Sequence, residues 1–178
     1  EANGDRQAEW QALLDLGALW ASRDYARTGD YFQHALLVAR ALGDPTTLAR
    51  TLNRVGNWHV NSERPLEAQQ YHHEARRIFE TSNDRRGLAE TLDLLGTAYF
   101  SCMDMSGAVY YRQAAAIFRE LNDRQALAST LSMLPLRGPQ YLGNVTVWSE
   151  DSVADCLRDG EEAIRVAREI GWRAGESL

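Results

Sequence analysis

The sequence predicts an all-α solenoid of antiparallel helical hairpins, and two internal echoes carry that reading. Leu48-Ala-Arg-Thr-Leu-Asn-Arg-Val-Gly56 lines up with Leu88-Ala-Glu-Thr-Leu-Asp-Leu-Leu-Gly96, so Leu, Ala, Thr, Leu and Gly share columns 40 residues apart. The halves that follow also match: Ala68, Tyr71 and Ala75 are echoed by Ala108, Tyr111 and Ala115 at the same offset. Ile78-Phe79 and Asn83-Asp84 recur as Ile117-Phe118 and Asn122-Asp123 at an offset of 39, the second copy being one residue shorter. Self-similarity at a fixed period of roughly 20 to 50 residues marks a stacked-repeat architecture, and it outranks local propensity.

Taken in order, residues 1–5 are polar and expected to fray, and a first amphipathic helix is expected from Arg6. Trp10, Leu13, Leu14, Gly17 and Trp20 recur there at three- and four-residue steps. A second helix carries Tyr25, Phe32, Ala35, Leu36, Val38, Ala39 and Leu42 and stops at Gly43-Asp44-Pro45, where glycine accepts a left-handed cap and proline forbids continuation. Repeat one thus covers about 7–45. Repeat two, about 46–85, places helices at about 46–61 and 65–82, with Ser62 as an N-cap and Pro65 in the first turn. Repeat three, about 86–124, places them at about 86–101 and 104–121, capped by Asp104 or Ser106. Such short turns make the paired helices antiparallel. Repeat four, about 125–172, starts with Ala126-Leu-Ala-Ser-Thr-Leu131, but Pro135 replaces the column glycine and ends the helix early. An insertion at about 135–149 follows. A last helix then runs from near Glu150 to Gly171, its tail from Ala163 aligning with Ala35 to Gly43. Residues 173–178 read as the start of a truncated further repeat, which makes the whole of 1–178 a single repeat domain cut from a larger protein.

These columns resemble the tetratricopeptide repeat: Leu95-Gly96 with Tyr99, then Ala108, Tyr111 and Ala115 in repeat three, and Gly56, Ala68, Tyr71 and Ala75 in repeat two. Repeat one keeps Gly17, Trp20 and Ala35. Repeat two departs in carrying His59 where an aromatic is usual, which makes His59 a packed, hydrogen-bonded stand-in. The long period and the Gly/Asn-Asp repeat ends are similar to the variety found in bacterial MalT-like or LuxR-type multidomain regulators and in Pins-like adaptors. The resemblance implies a right-handed superhelix with a concave groove lined by the first helix of each hairpin. Small Gly and Ala columns let helices approach closely, while aromatics fill the space between hairpins.

Composition narrows the function. With 25 acidic against 19 basic residues and a net charge of −6, a nucleic-acid-binding surface is not expected. All basic residues are arginine, which reads as the coding bias of a GC-rich, bacterial source. Cys102 and Cys156 lie far apart without metal-type spacing, pointing to free thiols in a reducing, cytoplasmic setting. No apolar run reaches the ~20 residues that span a bilayer. No Gly-x-Ser-x-Gly elbow occurs, and the absence of lysine excludes a P-loop lysine or a Schiff base in this chain. No cofactor and no metal are expected: adjacent His72 and His73 point about 100° apart on a helix and cannot easily share an ion. Asn144-Val-Thr146 fits a glycosylation sequon, read as chance.

By the family's register the groove positions are Arg50, Asn53, Arg54, Asn57 and Asn61 in repeat two. In repeat three they are Glu90, Asp93, Thr97 and Ser101. Two arginines and three asparagines on one face form a clamp for a carboxylate or an acidic segment, unless Arg50 and Arg54 pair with Glu90 and Asp93. The inserted segment, with Tyr141, Leu142, Val145, Val147 and Trp148, either folds over the groove or covers the apolar end left by the shortened helix. The expected function is a non-catalytic interaction or scaffold module, the sensor or coupling region of a bacterial regulator. Its partner is a protein or peptide segment, or a sister domain. A small-molecule effector in the groove, or self-association through exposed terminal helices, are the alternatives.

Overall fold

The computed structural model describes residues 2–135, 140–142, 145–147 and 152–173. The helices are α1 (Ala2–Trp20), α2 (Tyr25–Leu42), α3 (Pro45–Asn61), α4 (Pro65–Ser82) and α5 (Arg85–Ser101). A 3₁₀ turn at Met105–Gly107 then leads into α6 (Ala108–Glu120), followed by α7 (Arg124–Met133) and α8 (Val153–Glu169). Between α7 and α8, β1 (Gln140–Leu142) and β2 (Val145–Val147) pair antiparallel, with Tyr141 opposite Thr146. The hairpin strands depart from an irregular insertion. Their signal was legible in Val145-Thr-Val147, a β-branched run preceded by the two-residue link Gly143-Asn144. Trp148, the sequon residue Asn144 and residues 174–178 of the expected fifth repeat lie outside the described residues.

The fold is an all-α array of helical hairpins, and the chain divides into two compact units, residues 1–87 and 88–178, each holding two hairpins. The repeat junctions share one device. Gly43, Asn83 and Asn122 take left-handed backbone (φ 70°, 54° and 54°), ending the preceding helix at residue types that tolerate it. The aspartate that follows each one caps the next helix. Asp44 accepts from the Thr47 amide at 2.7 Å, Asp84 from Gly87 at 2.9 Å and Asp123 from Ala126 at 3.1 Å. Within repeat two the turn differs from expectation: Ser62 closes α3, and α4 opens at Arg64-Pro65 with no side-chain cap. Asp104 does cap its turn, accepting from the Ser106 amide at 2.9 Å.

In the first unit, Trp10 packs with Ala35 and Ala39 against Leu13, Leu14, Val38, Leu42 and Leu48. In the second unit, Leu92, Leu95, Tyr111, Phe118, Leu127, Leu134 and Val166 are fully or nearly buried in one core. The threonine column is buried at every occurrence, Thr51, Thr91 and Thr130 being at most 2% exposed. Two of these tie a first helix to the first helix of the preceding repeat. Trp10 Nε1 donates to Thr51 Oγ1 at 2.8 Å, and Thr130 Oγ1 donates to Asp93 Oδ1 at 2.7 Å.

Each column glycine receives a side chain from its partner helix. A β-carbon on Gly17 would lie 2.3 Å from Phe32, one on Gly56 2.5 Å from His72, and one on Gly96 2.5 Å from Tyr111. This corrects the sequence alignment by one residue, because the counterpart of Tyr111 is His72 and not Tyr71. The offset is therefore already 39 at this point. The spacing from Gly96 to Tyr111 equals that from Gly17 to Phe32, where no 3₁₀ segment intervenes, so it is repeat two that carries one extra residue between Gly56 and His72.

Candidate functional site

The expected groove residues divide between the two units and meet different fates. On α3, Arg50, Arg54, Asn57 and Asn61 follow one another at steps of four, three and four, a single stripe along the helix. Arg50, Arg54 and Asn61 are exposed and Asn57 is half-buried. Among the described residues, neither arginine is engaged by a carboxylate at ion-pair distance; Asp44 feels Arg50 only at longer range. An unpaired guanidinium presents a planar fork of donors suited to a carboxylate.

Asn53 points elsewhere. Its Oδ1 lies 3.0 Å from Nδ1 of His72, which is fully buried against Gly56. An amide oxygen only accepts, so Nδ1 carries the proton and Nε2 is left as a bare, buried nitrogen without a protein partner. Desolvation lowers the His72 pKa to about 3, with His73 and His59 adding to the effect. His59 is packed as expected, edge-on to Trp58 (4.7 Å) and stacked on Tyr71 (5.0 Å, 19°). The expected hydrogen bond is not found, however: neither of its ring nitrogens has a partner among the described residues. The aromatic stack supplies its contacts, and burial lowers its pKa with Arg64 contributing. Arg64 in turn caps the stack, its guanidinium carbon 4.5 Å from the Trp58 ring centre.

In the second unit, Glu90 is exposed. Asp93 accepts from Thr130, and Thr97 bonds both the Asp93 carbonyl (3.2 Å) and the Tyr111 hydroxyl (2.8 Å). Ser101 donates to the Thr97 carbonyl at 2.9 Å. Asp93 and Thr97 thus hold helices together, as Asn53 does in its own hairpin. The register that picks outward positions on a helix does not reveal which of them reach a neighbour's side chain. The Asn53–His72 pair was missed for the same reason, although the offset of 39 from Tyr111 would have located His72.

Beside the stripe's helix, an open pocket of about 500 Å³ lies between the start of α3 and the end of α4, lined by Pro45, Arg77, Ile78, Thr81 and Ser82. Among the described residues, no cluster of three or more His, Cys, Asp or Glu side chains could hold a metal ion, and no helix is long and apolar enough to cross a membrane.

Comparison with solved structures identifies the architecture. Aspartyl phosphate phosphatase F from Bacillus subtilis superposes with a TM-score of 0.76 at 15% identity, covering 96% of this chain and 43% of that one. The fold is tetratricopeptide-like. BtubC (BKLC) from P. vanneervenii is also similar, with a TM-score of 0.70 at 16% identity over 94% of this chain and 72% of the other. The chain spans less than half the length of the phosphatase. No protein-family profile and no curated protein matches the sequence.

Proposed function

We propose that the chain is a non-catalytic interaction module that holds an acidic protein segment along α3, within a bacterial regulatory protein. The observation that carries this reading is the stripe Arg50, Arg54, Asn57 and Asn61: two unpaired guanidinium groups one turn apart, followed by two amides. The arginines fit carboxylates spaced along an extended or helical segment, and the amides fit its backbone. The stripe holds no nucleophile and no general acid or base, so it serves recognition rather than chemistry. The bacterial context rests on the resemblance to long-repeat regulators and is supported by the likeness in fold to a Bacillus subtilis protein.

The reading is tested with fluorescein-labelled peptides rich in Asp and Glu, beside neutral peptides of the same length, in titrations of the full chain and of an Arg50→Glu/Arg54→Glu variant. Acidic peptides should bind with an affinity that falls as salt rises. The double charge reversal should weaken them at least about tenfold, equivalent to about 1.4 kcal/mol. Equal binding by parent and variant would remove the stripe as the site.

A further inference from the structure

The α3–α4 and α5–α6 hairpins have the same plan, but the residue seated on the column glycine differs in one chemical respect. In the second unit it is Tyr111, whose hydroxyl is 2.8 Å from Thr97 Oγ1, and neither group has the basic ring nitrogen of an imidazole. In the first unit it is His72, fully buried, with Nδ1 on Asn53 and Nε2 facing no protein acceptor. His72 has no room to turn toward water, because Gly56 touches the ring so closely that even a β-carbon would clash at 2.5 Å. Its neighbour His59, 6% exposed, has two more buried nitrogens without protein partners.

We infer that the α3–α4 hairpin is an acid-sensitive clasp: a proton taken up at His72 Nε2 cannot be accommodated on Gly56, so acidification opens this hairpin while α5–α6 stays closed. The charged and titratable groups around the imidazoles favour this outcome. His73 on α4 and His59 on α3 act on His72 and disfavour a further positive charge. Arg64, at the start of α4, does the same to His59, and Glu67 on α4 opposes it. Partial burial, with Arg76 and Arg77 adding to it, lowers the pKa of His73 itself. No carboxylate is among the groups acting on His72. The direction follows from linkage. The unfolded imidazole titrates near 6.5 and the folded one near 3, so the open state binds more protons between those values. Stability from this residue is fully present above pH 6.5 and declines as pH falls toward 3. Opening also separates Asn53 from His72 and loosens the helix that carries Arg50 and Arg54. The clasp itself does not depend on what that helix binds.

The test is hydrogen–deuterium exchange of the full chain at pH 7.5, 6.5 and 5.5, with rates corrected for the intrinsic pH dependence of exchange. Protection of peptides from 45–82 should fall by about tenfold per pH unit below 6.5, while peptides from 85–120 hold theirs. His72→Phe should flatten the response of the first set. Because that variant has to fold to be informative, the parent chain is also followed by imidazole carbon-13 NMR. There the His72 ring should stay neutral until its hairpin opens. Constant protection of 45–82, parallel loss in both hairpins, or titration of His72 near 6.5 in the folded chain would each overturn the inference.

Discussion

The ring of Pro135 rests on Gly160, its Cγ 3.2 Å from where a β-carbon on that glycine would stand. By repeat register Pro135 occupies the column of Gly17, Gly56 and Gly96, and Gly160 the column of Phe32 and Tyr111. The fourth hairpin therefore keeps the same contact with bulk and void exchanged between its helices. Gly160→Phe alone should destabilise the second unit by more than about 2 kcal/mol through overpacking. Pro135→Gly combined with Gly160→Phe should recover at least about 1 kcal/mol of that in a urea-denaturation double-mutant cycle. Additive losses would show that the two residues do not share one space.

The glycine columns predict an inversion of helix propensity. In an open helix Gly→Ala stabilises by about 1 kcal/mol. Gly96→Ala drives a methyl group to 2.5 Å from Tyr111 and should instead cost about 1–3 kcal/mol, and Gly56→Ala should cost a similar amount against His72. Gly4→Ala, with nothing within 4 Å, is the control and should be neutral or slightly stabilising in the same denaturation series.

Buried threonines should be more costly to lose than their size implies. Thr130→Val keeps the shape but removes the donor to Asp93, a bond to a charged group worth about 1.5–3 kcal/mol. Thr51→Val strands the buried Trp10 indole N–H at a cost of about 1–3 kcal/mol. Midpoints of urea unfolding for the two valine variants, set against exposed Ser129→Val, measure this directly.

Asp44 caps α3 and is acted on by groups of that same helix. The Thr47 hydroxyl and amide, with Arg50 further off, hold its pKa below the usual 3.8. A carboxyl with a depressed folded pKa contributes stability above its unfolded pKa and loses it as pH falls through the folded one. Asp44→Ala should therefore cost about 1 kcal/mol at pH 7, the usual loss for an N-cap, and the parent–variant gap should close below about pH 3.8. A gap that persists into strong acid would assign the cost to something other than the carboxylate.

The stripe on α3 should be separable from the fold. Arg50 and Arg54 are exposed, so Arg50→Glu/Arg54→Glu should leave the melting temperature within a degree or two, consistent with about 0.5 kcal/mol for surface substitutions. A large drop would mean the arginines hold the structure together.

The repeats, the helix borders and the core columns were legible in the sequence because stacked hairpins impose the same packing on each copy. Leu, Ala, Thr and Gly recur at spacings that only a helix face explains, and the Gly/Asn-Asp junctions name their own caps. The tertiary structure alone decided which polar side chains face outward. Asn53 and Arg54 are neighbours on one helix, yet one meets His72 while the other meets solvent. Helical spacing fixes direction around an axis, whereas the identity of what lies there depends on the partner helix's register. A single extra residue between Gly56 and His72, relative to the first and third hairpins, moves that register by about 100°. For the same reason His72, written between Tyr71 and His73, was fixed as the buried residue on Gly56 by the packing of α3 on α4.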